Sequence, residues 1–127
     1  MQDLQEFVDH YVAELSGPNA FTAMHSLMEA GPSALSLVVE AFHAATDPQV
    51  QVSLVKLVSE YRTEYAVPFL SSCLTNRRTE IWKAALEGLV ILGGASAMEG
   101  LREARAGTPR ELRHWIDEAI QQIIDEF

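Results

Sequence analysis

The chain has 127 residues, of which 48% are hydrophobic, 21% charged and 8% aromatic, and its formal net charge is −9. This length and composition predict a single globular domain, and the lone cysteine, Cys73, excludes an internal disulfide. The negative charge repels phosphate backbones, and neither a signal-peptide pattern nor an apolar run of roughly 18 residues is found. We therefore expect a cytoplasmic protein that binds neither nucleic acid nor membranes.

Short apolar stretches separated by Pro and Gly run through the chain, and most are about a dozen residues long. In the first stretch the apolar residues follow the 3.6-residue period of one helical face: Leu4, Phe7, Val8, Tyr11, Val12 and Leu15. The β-branched run from Val50 to Val58 fits the same period, and no alternating strand pattern bounded by hairpin turns is found. The sequence therefore predicts an all-α fold of short helices joined by tight turns.

The apolar pattern repeats with a step of about 31 residues. Positions that recur in the first helix of each unit are Val50, Ile81 and Leu112; Ala23, Leu54, Ala85 and Ile116; and Leu27, Val58, Leu89 and Ile120. Positions that recur in the second helix are Ala34, Leu35 and Val38; Ala66, Val67 and Leu70; and Ala97, Met98 and Leu101. The repeat predicts about eight helices in one domain, residues 1–127. They are a capping helix in 1–17, helical hairpins over 18–46, 47–77 and 78–107, and a capping helix in 108–127.

The starts of two units and one helix resemble a known repeat family. Asp or Thr precedes Pro in Asp47-Pro48 and Thr108-Pro109, where the side chain can cap a helix whose first residue is Pro. Residues 82–94 read WKAALEGLVILGG. Together with the two-helix unit, these features resemble HEAT-like repeats over residues 19–123. The resemblance implies an alpha-alpha superhelix of HEAT-like helical hairpins, in which stacked hairpins share one core and leave an open curved surface.

Charge is distributed unevenly along the chain. Residues 1–55 contain no Lys or Arg and carry −7, residues 56–110 carry +2, and residues 111–127 carry −4. An acidic N-terminal surface suits a basic protein partner, and a solvated face that keeps a small protein soluble explains the same pattern. The candidate partner-binding acids are Asp3, Glu6, Glu14, Glu29 and Glu40.

Aromatic residues extend this set of candidates. Tyr61, Arg62 and Tyr65 lie in the predicted turn of the second hairpin. Trp82 stands where the earlier units have Ala20 and Gln51, so an outward orientation would make it a binding anchor. Most other aromatic residues fall on apolar stripes and are expected in the core.

The histidines, the cysteine and the basic residues do not predict an active site. Each His has a carboxylate four residues later, as in His10 and Glu14, and such pairs share a helix face. One HEAT-like family, deoxyhypusine hydroxylase, takes its metal ligands from His-Glu dipeptides, which this sequence lacks. Cys73 has apolar neighbours and is expected to be a buried small hydrophobe. Acidic residues interleave the basic band from Arg77 to Arg113. We predict no catalytic residue, metal site or cofactor.

The leading functional hypothesis is a non-catalytic protein-protein interaction module, an adaptor or scaffold that is a monomer or a weak homodimer. Its charge and size are compatible with a bacterial immunity protein that neutralises a basic toxin. The alternative hypothesis is a HEAT-like subunit of a phycobilin lyase or a related enzyme, and it follows from the family resemblance alone.

Overall fold

The computed structural model describes residues 3–126, which form eight α-helices and three short 3-10 turns without any strand. The all-α fold with eight helices, predicted from the sequence, is confirmed. The helices are α1 Leu4–Glu14, α2 Ala20–Ala30, α3 Leu35–Ala44, α4 Pro48–Glu60, α5 Val67–Cys73, α6 Thr79–Leu92, α7 Gly94–Gly107 and α8 Arg113–Asp125. The 3-10 turns are Pro32–Ala34, Glu64–Ala66 and Arg110–Leu112. Within the described residues, no helix combines the length and the apolar character needed to cross a membrane.

Contacts between the helices arrange them in two layers. In one layer α2, α4, α6 and α8 pack against one another in chain order, and in the other α1 packs against α3 and α5 against α7. Between α3 and α5 the rings of Phe42 and Phe69 meet edge to face, with centroids 5.1 Å apart. The layers are joined by the pairs α1 and α2, α3 and α4, α5 and α6, and α7 and α8. The core therefore lies between the layers and runs along the stack.

The positions that recur every 31 residues supply this core. Fully buried members in the first layer are Ala23, Leu27, Leu54, Val58, Ile81, Ala85 and Leu89, and in the second layer Ala34, Val38, Ala66, Leu70, Ala97 and Leu101. Because burial of each Val, Leu or Ile side chain is worth about 1.5–3 kcal/mol, this register is the main source of stability. In the last unit Leu112 and Ile120 are only half-buried.

The start of α4 follows the predicted capping pattern. The Asp47 carboxylate accepts a hydrogen bond from the backbone N–H of Gln49 at 2.9 Å, and Pro48 is the first helical residue. Asp therefore satisfies a free donor where Pro lacks one, and the predicted cap is confirmed.

The start of α8 does not follow that pattern. The Thr108 hydroxyl donates a hydrogen bond back to the carbonyl of Ala104, at 2.7 Å, in the last turn of α7. Pro109 has ψ 144°, outside the helical region, and a 3-10 turn follows it. The prediction that Thr108 caps the last helix is therefore wrong, and that helix begins only at Arg113.

A glycine allows α4 and α6, the most extensively packed pair of helices, to approach closely. Gly88 in α6 faces Ser59 in α4, whose buried hydroxyl donates to the carbonyl of Val55 at 3.0 Å. A Cβ atom at Gly88 would collide with that hydroxyl. The distance between the two helices therefore depends on the absence of a side chain at this position.

A tyrosine ties α2 to the end of α4. The Tyr61 hydroxyl donates a hydrogen bond to the backbone carbonyl of Leu27 at 2.8 Å, in a buried setting. Leu27 lies in the last turn of α2, where the backbone carbonyls receive no hydrogen bond from a backbone N–H of the same helix. The tyrosine therefore satisfies a carbonyl that would otherwise be buried without a donor.

Replacing Gly88 by Ala should lower the free energy of unfolding by about 1–3 kcal/mol, because the added methyl group overpacks the contact with Ser59. The better helix propensity of Ala, worth at most about 1 kcal/mol, offsets only part of that loss. Urea unfolding measures the change. Gly107→Ala is the matched control, since nothing lies within 4 Å of its added Cβ and stability should stay equal or rise slightly. Equal stability of the two variants would contradict the close-approach explanation.

Replacing Tyr61 by Phe should cost about 1–2 kcal/mol, because the Leu27 carbonyl loses its donor. Burial also raises the pKa of Tyr61 from 10.0 to about 12. The unfolded chain therefore loses this proton first, and wild-type stability should fall as the pH rises from about 10 to 12. Urea unfolding at about pH 9 and about pH 11 checks both effects. The gap between wild type and Tyr61→Phe should narrow at the higher pH, and a constant gap would contradict the assigned titration.

Candidate functional site

The outer face of α2 exposes apolar side chains. Phe21 is 88% exposed and Met28 is 38% exposed, although both belong to a helix whose Ala23 and Leu27 are fully buried. Met24, between them, is half-buried against the core. Because Phe21, Met24 and Met28 are spaced i, i+3 and i+7, they form one stripe along the helix, which we call the α2 stripe.

The sequence reasoning missed Phe21, since it expected most aromatic residues to lie in the core. The repeat contains the signal that would have found it. Steps of 31 residues from Phe21 lead to Val52, Lys83 and His114, and the last two are charged or polar and exposed. Phe21 therefore occupies a position that is exposed in α6 and α8 and half-buried in α4.

The predicted acids lie on the first three helices, which pack together. The Asp3 carboxylate accepts from the backbone N–H of Glu6 at 2.8 Å and caps α1. Glu14 ends α1 and Glu29 lies in the last turn of α2, while Glu40 is exposed on α3. Asp3 therefore has a structural role, whereas Glu6, Glu29 and Glu40 are exposed and Glu14 is half-buried.

The predicted residues of the second hairpin separate into a buried and an exposed group. Tyr61 is only 7% exposed, so its prediction as a partner-binding residue is wrong. Its ring is part of the core, and its hydroxyl donates to the Leu27 carbonyl. Arg62 is exposed and has φ 51°, a left-handed conformation that is uncommon outside glycine. Tyr65 is 78% exposed. Arg62 and Tyr65 are therefore accessible, and Tyr61 is not.

Trp82 is not an outward anchor. It is half-buried, and its ring meets that of Trp115 from α8 with centroids 6.0 Å apart. The Lys83 ammonium lies 4.7 Å from the centroid of the Trp115 ring, within range of a cation-π contact. Trp82 and Trp115 therefore pack against each other between α6 and α8. Since α4 separates α6 from α2, Trp82 also lies apart from the α2 stripe.

A groove between α6 and α8 has a volume of about 200 Å³. Its lining includes the apolar Val90 and Trp115 and the charged Lys83, Glu87 and Glu118. Binding sites for drug-sized molecules measure roughly 300–1,000 Å³. The groove is thus suited to a single side chain rather than to a cofactor.

The histidine-carboxylate pairs form in two of the four predicted places. His10 and Glu14 are 3.7 Å apart, and His25 and Glu29 are 3.2 Å apart. The Asp47 carboxylate instead caps α4, and the His114 ring nitrogen lies 3.0 Å from the Glu111 carbonyl. Among residues 3–126, no three His, Cys, Asp or Glu side chains cluster in a way that could hold a metal ion.

The basic band is partly neutralised by its own neighbours. Arg105 donates to the Asp117 carboxylate at 2.7 Å, and this hydrogen bond lowers the pKa of Asp117. Arg113 donates to the backbone carbonyl of Thr108 at 3.1 Å. These two guanidinium groups are thus already engaged within the fold.

Models of known protein families give no match to the chain, and no curated protein is significantly similar to it in sequence. The HEAT-like resemblance therefore stays a prediction.

Cys73 is buried in α5, as predicted. Burial raises the pKa of its thiol to about 11, although a hydrogen bond with Ser72 acts in the opposite direction. Since the thiolate is the reactive form, this environment suppresses nucleophilic chemistry near neutral pH.

Alkylation of Cys73 by iodoacetamide at about pH 8 should be at least about 100-fold slower in the folded protein than in urea, because both burial and the raised pKa reduce the accessible thiolate. Mass spectrometry of quenched time points measures the rate. A free thiol peptide of the same local sequence provides the reference for an accessible cysteine. Comparable rates for the folded protein and the peptide would contradict the buried, inert assignment.

Proposed function

We propose that the chain is a non-catalytic, HEAT-like protein-binding module whose N-terminal half receives a basic protein. The observation that carries this proposal is the exposed Phe21 on α2, in a half of the chain that has seven acidic residues and no Lys or Arg before Lys56. An apolar anchor within an acidic surface provides both affinity and selection for positive charge.

Electrostatics supports the choice of a basic partner. The exposed carboxylates of Glu6, Glu29 and Glu40 have no Lys or Arg on their own helices to neutralise them. Their combined field accelerates association with a positively charged protein and disfavours acidic ones. Nucleic acid is disfavoured for the same reason, and the ion pair of Arg105 and Asp117 removes part of the only basic band.

The HEAT-like assignment is supported by the register of the core and by the two helical layers. Buried positions recur every 31 residues through both layers, as in arrays whose hairpins bury a shared core. Such a stack offers extended surfaces while its interior remains closed. This arrangement suits an adaptor, and a cytoplasmic monomer is the simplest form, because two copies would each bring a net charge of −9.

Within this proposal a basic toxin is one partner of suitable charge, which would make the protein an immunity protein. That finer proposal is supported by charge and size. The alternative of a phycobilin lyase subunit is supported by the HEAT-like resemblance alone.

Affinity capture tests the proposal. The immobilised protein is exposed to lysate of its source organism at about 50 and about 300 mM salt, and mass spectrometry identifies the bound chains. We expect a basic protein in near-stoichiometric amount that is largely lost at the higher salt, because salt screens surface charges. A test variant neutralises three exposed acids that cap no helix: Glu6→Gln, Glu29→Gln and Glu40→Gln.

A matched control changes the net charge equally in the other half of the chain. Its substitutions are Glu99→Gln, Glu103→Gln and Glu126→Gln, all at exposed positions. Capture of the basic protein should fall at least about fivefold for the N-terminal variant and remain for the control. An equal fall in capture with both variants would show that binding depends on the net charge of the protein and not on the acidic N-terminal surface. Equal retention by both would overturn the assignment of the acidic surface.

A further inference from the structure

The α2 stripe has the spacing of a helix-binding surface. Phe21 and Met28 are seven residues apart, which places them about 10 Å from each other along the helix axis, with Met24 between them. A second helix laid along α2 presents side chains with the same i, i+3 or i+4 and i+7 spacing. The stripe therefore matches two turns of an amphipathic helix.

The side chains of the stripe suit such a partner. Phe21 already projects into solvent, so a partner can bury its ring without displacing another residue. Met24 and Met28 are unbranched and adapt their shape to different apolar surfaces. Exposed clusters of an aromatic ring and methionines are typical of surfaces that receive helices.

Charge around the stripe selects among the possible occupants. Glu14 ends α1, the helix before α2, and Glu29 lies in the last turn of α2, while no Lys or Arg precedes Lys56. A second copy of the chain and an anionic membrane would both bring negative charge to this surface. A basic helix brings the complementary sign.

We propose that the α2 stripe is the docking site for a basic amphipathic helix of the partner protein, an inference that rests on the proposed function. Phe21 is the central anchor, Met24 and Met28 complete the apolar contact, and Glu14 and Glu29 contact Lys or Arg at the two ends of the bound helix. This assignment names the partner's chemistry: apolar residues along one helical face and cations along the sides.

The test uses two fluorescent 18-residue peptides of Leu and Lys in about 150 mM salt, a concentration that weakens contacts made by charge alone. In one peptide the Leu residues share a helical face, and in the other the same residues are shuffled so that they do not. Fluorescence anisotropy gives the dissociation constant for wild type, Phe21→Ala and Ile91→Ala. Ile91 is the matched control, since it is 43% exposed but lies on α6.

We expect Phe21→Ala to weaken binding of the amphipathic peptide by about tenfold or more, the loss typical of a central anchor. Ile91→Ala should stay within about twofold of wild type, and the shuffled peptide should bind all three proteins weakly and alike. Because Phe21 lies outside the core, circular dichroism should show an unchanged fold.

Three outcomes would overturn the docking site: no binding of the amphipathic peptide, equal loss for the two alanine variants, or equal binding of both peptides. Each of them leaves the proposed function standing if capture of a basic protein still depends on Glu6, Glu29 and Glu40. Loss of that dependence while the peptide result holds would instead overturn the acidic surface and keep the stripe.

Discussion

The approach of α4 to α6 and of α5 to α7 depends on one small-residue contact in each helical layer. In one layer Gly88 of α6 leaves room for Ser59 of α4, and in the other Gly100 of α7 lies against Ser71 of α5. Ser59 is buried, and the hydroxyl of the half-buried Ser71 is withdrawn from solvent without a hydrogen-bond partner among the described residues. A hydroxyl left in that state costs free energy. These contacts hold α4 against α6 and α5 against α7.

The acidic residues of the N-terminal half divide into those that cap helices and those that are exposed on outer faces. Asp3 and Asp47 begin α1 and α4 by accepting backbone N–H groups, so their charge is used at helix ends. Glu6, Glu29 and Glu40 make no such cap and lie on outer faces. Carboxylates that are exposed and not used at helix ends remain accessible to a positively charged partner.

Periodicity predicted the fold well because the core of a repeat is a local property. The step of 31 residues placed Leu27, Val58 and Leu89 in one buried row without any knowledge of how the helices pack. Hydrogen bonds between helices could not be predicted from this periodicity. Tyr61 follows the apolar stretch of α4 and looked like part of a turn, but its hydroxyl reaches a carbonyl 34 residues earlier. Thr108 resembled Asp47 in sequence, yet a hydroxyl can donate to the preceding helix whereas a carboxylate accepts from the next. In both cases a distant or competing hydrogen bond decided the structure.

Phe21 is more exposed than its counterpart in the next unit of the repeat. Val52 is half-buried against the core in α4, whereas Lys83 in α6 is exposed and Phe21 is 88% exposed. A large apolar ring at such a position contributes little to folding, since burial on folding removes almost none of its surface from water. The same ring contributes most when a second protein covers it, which is why the proposed docking site is centred on Phe21.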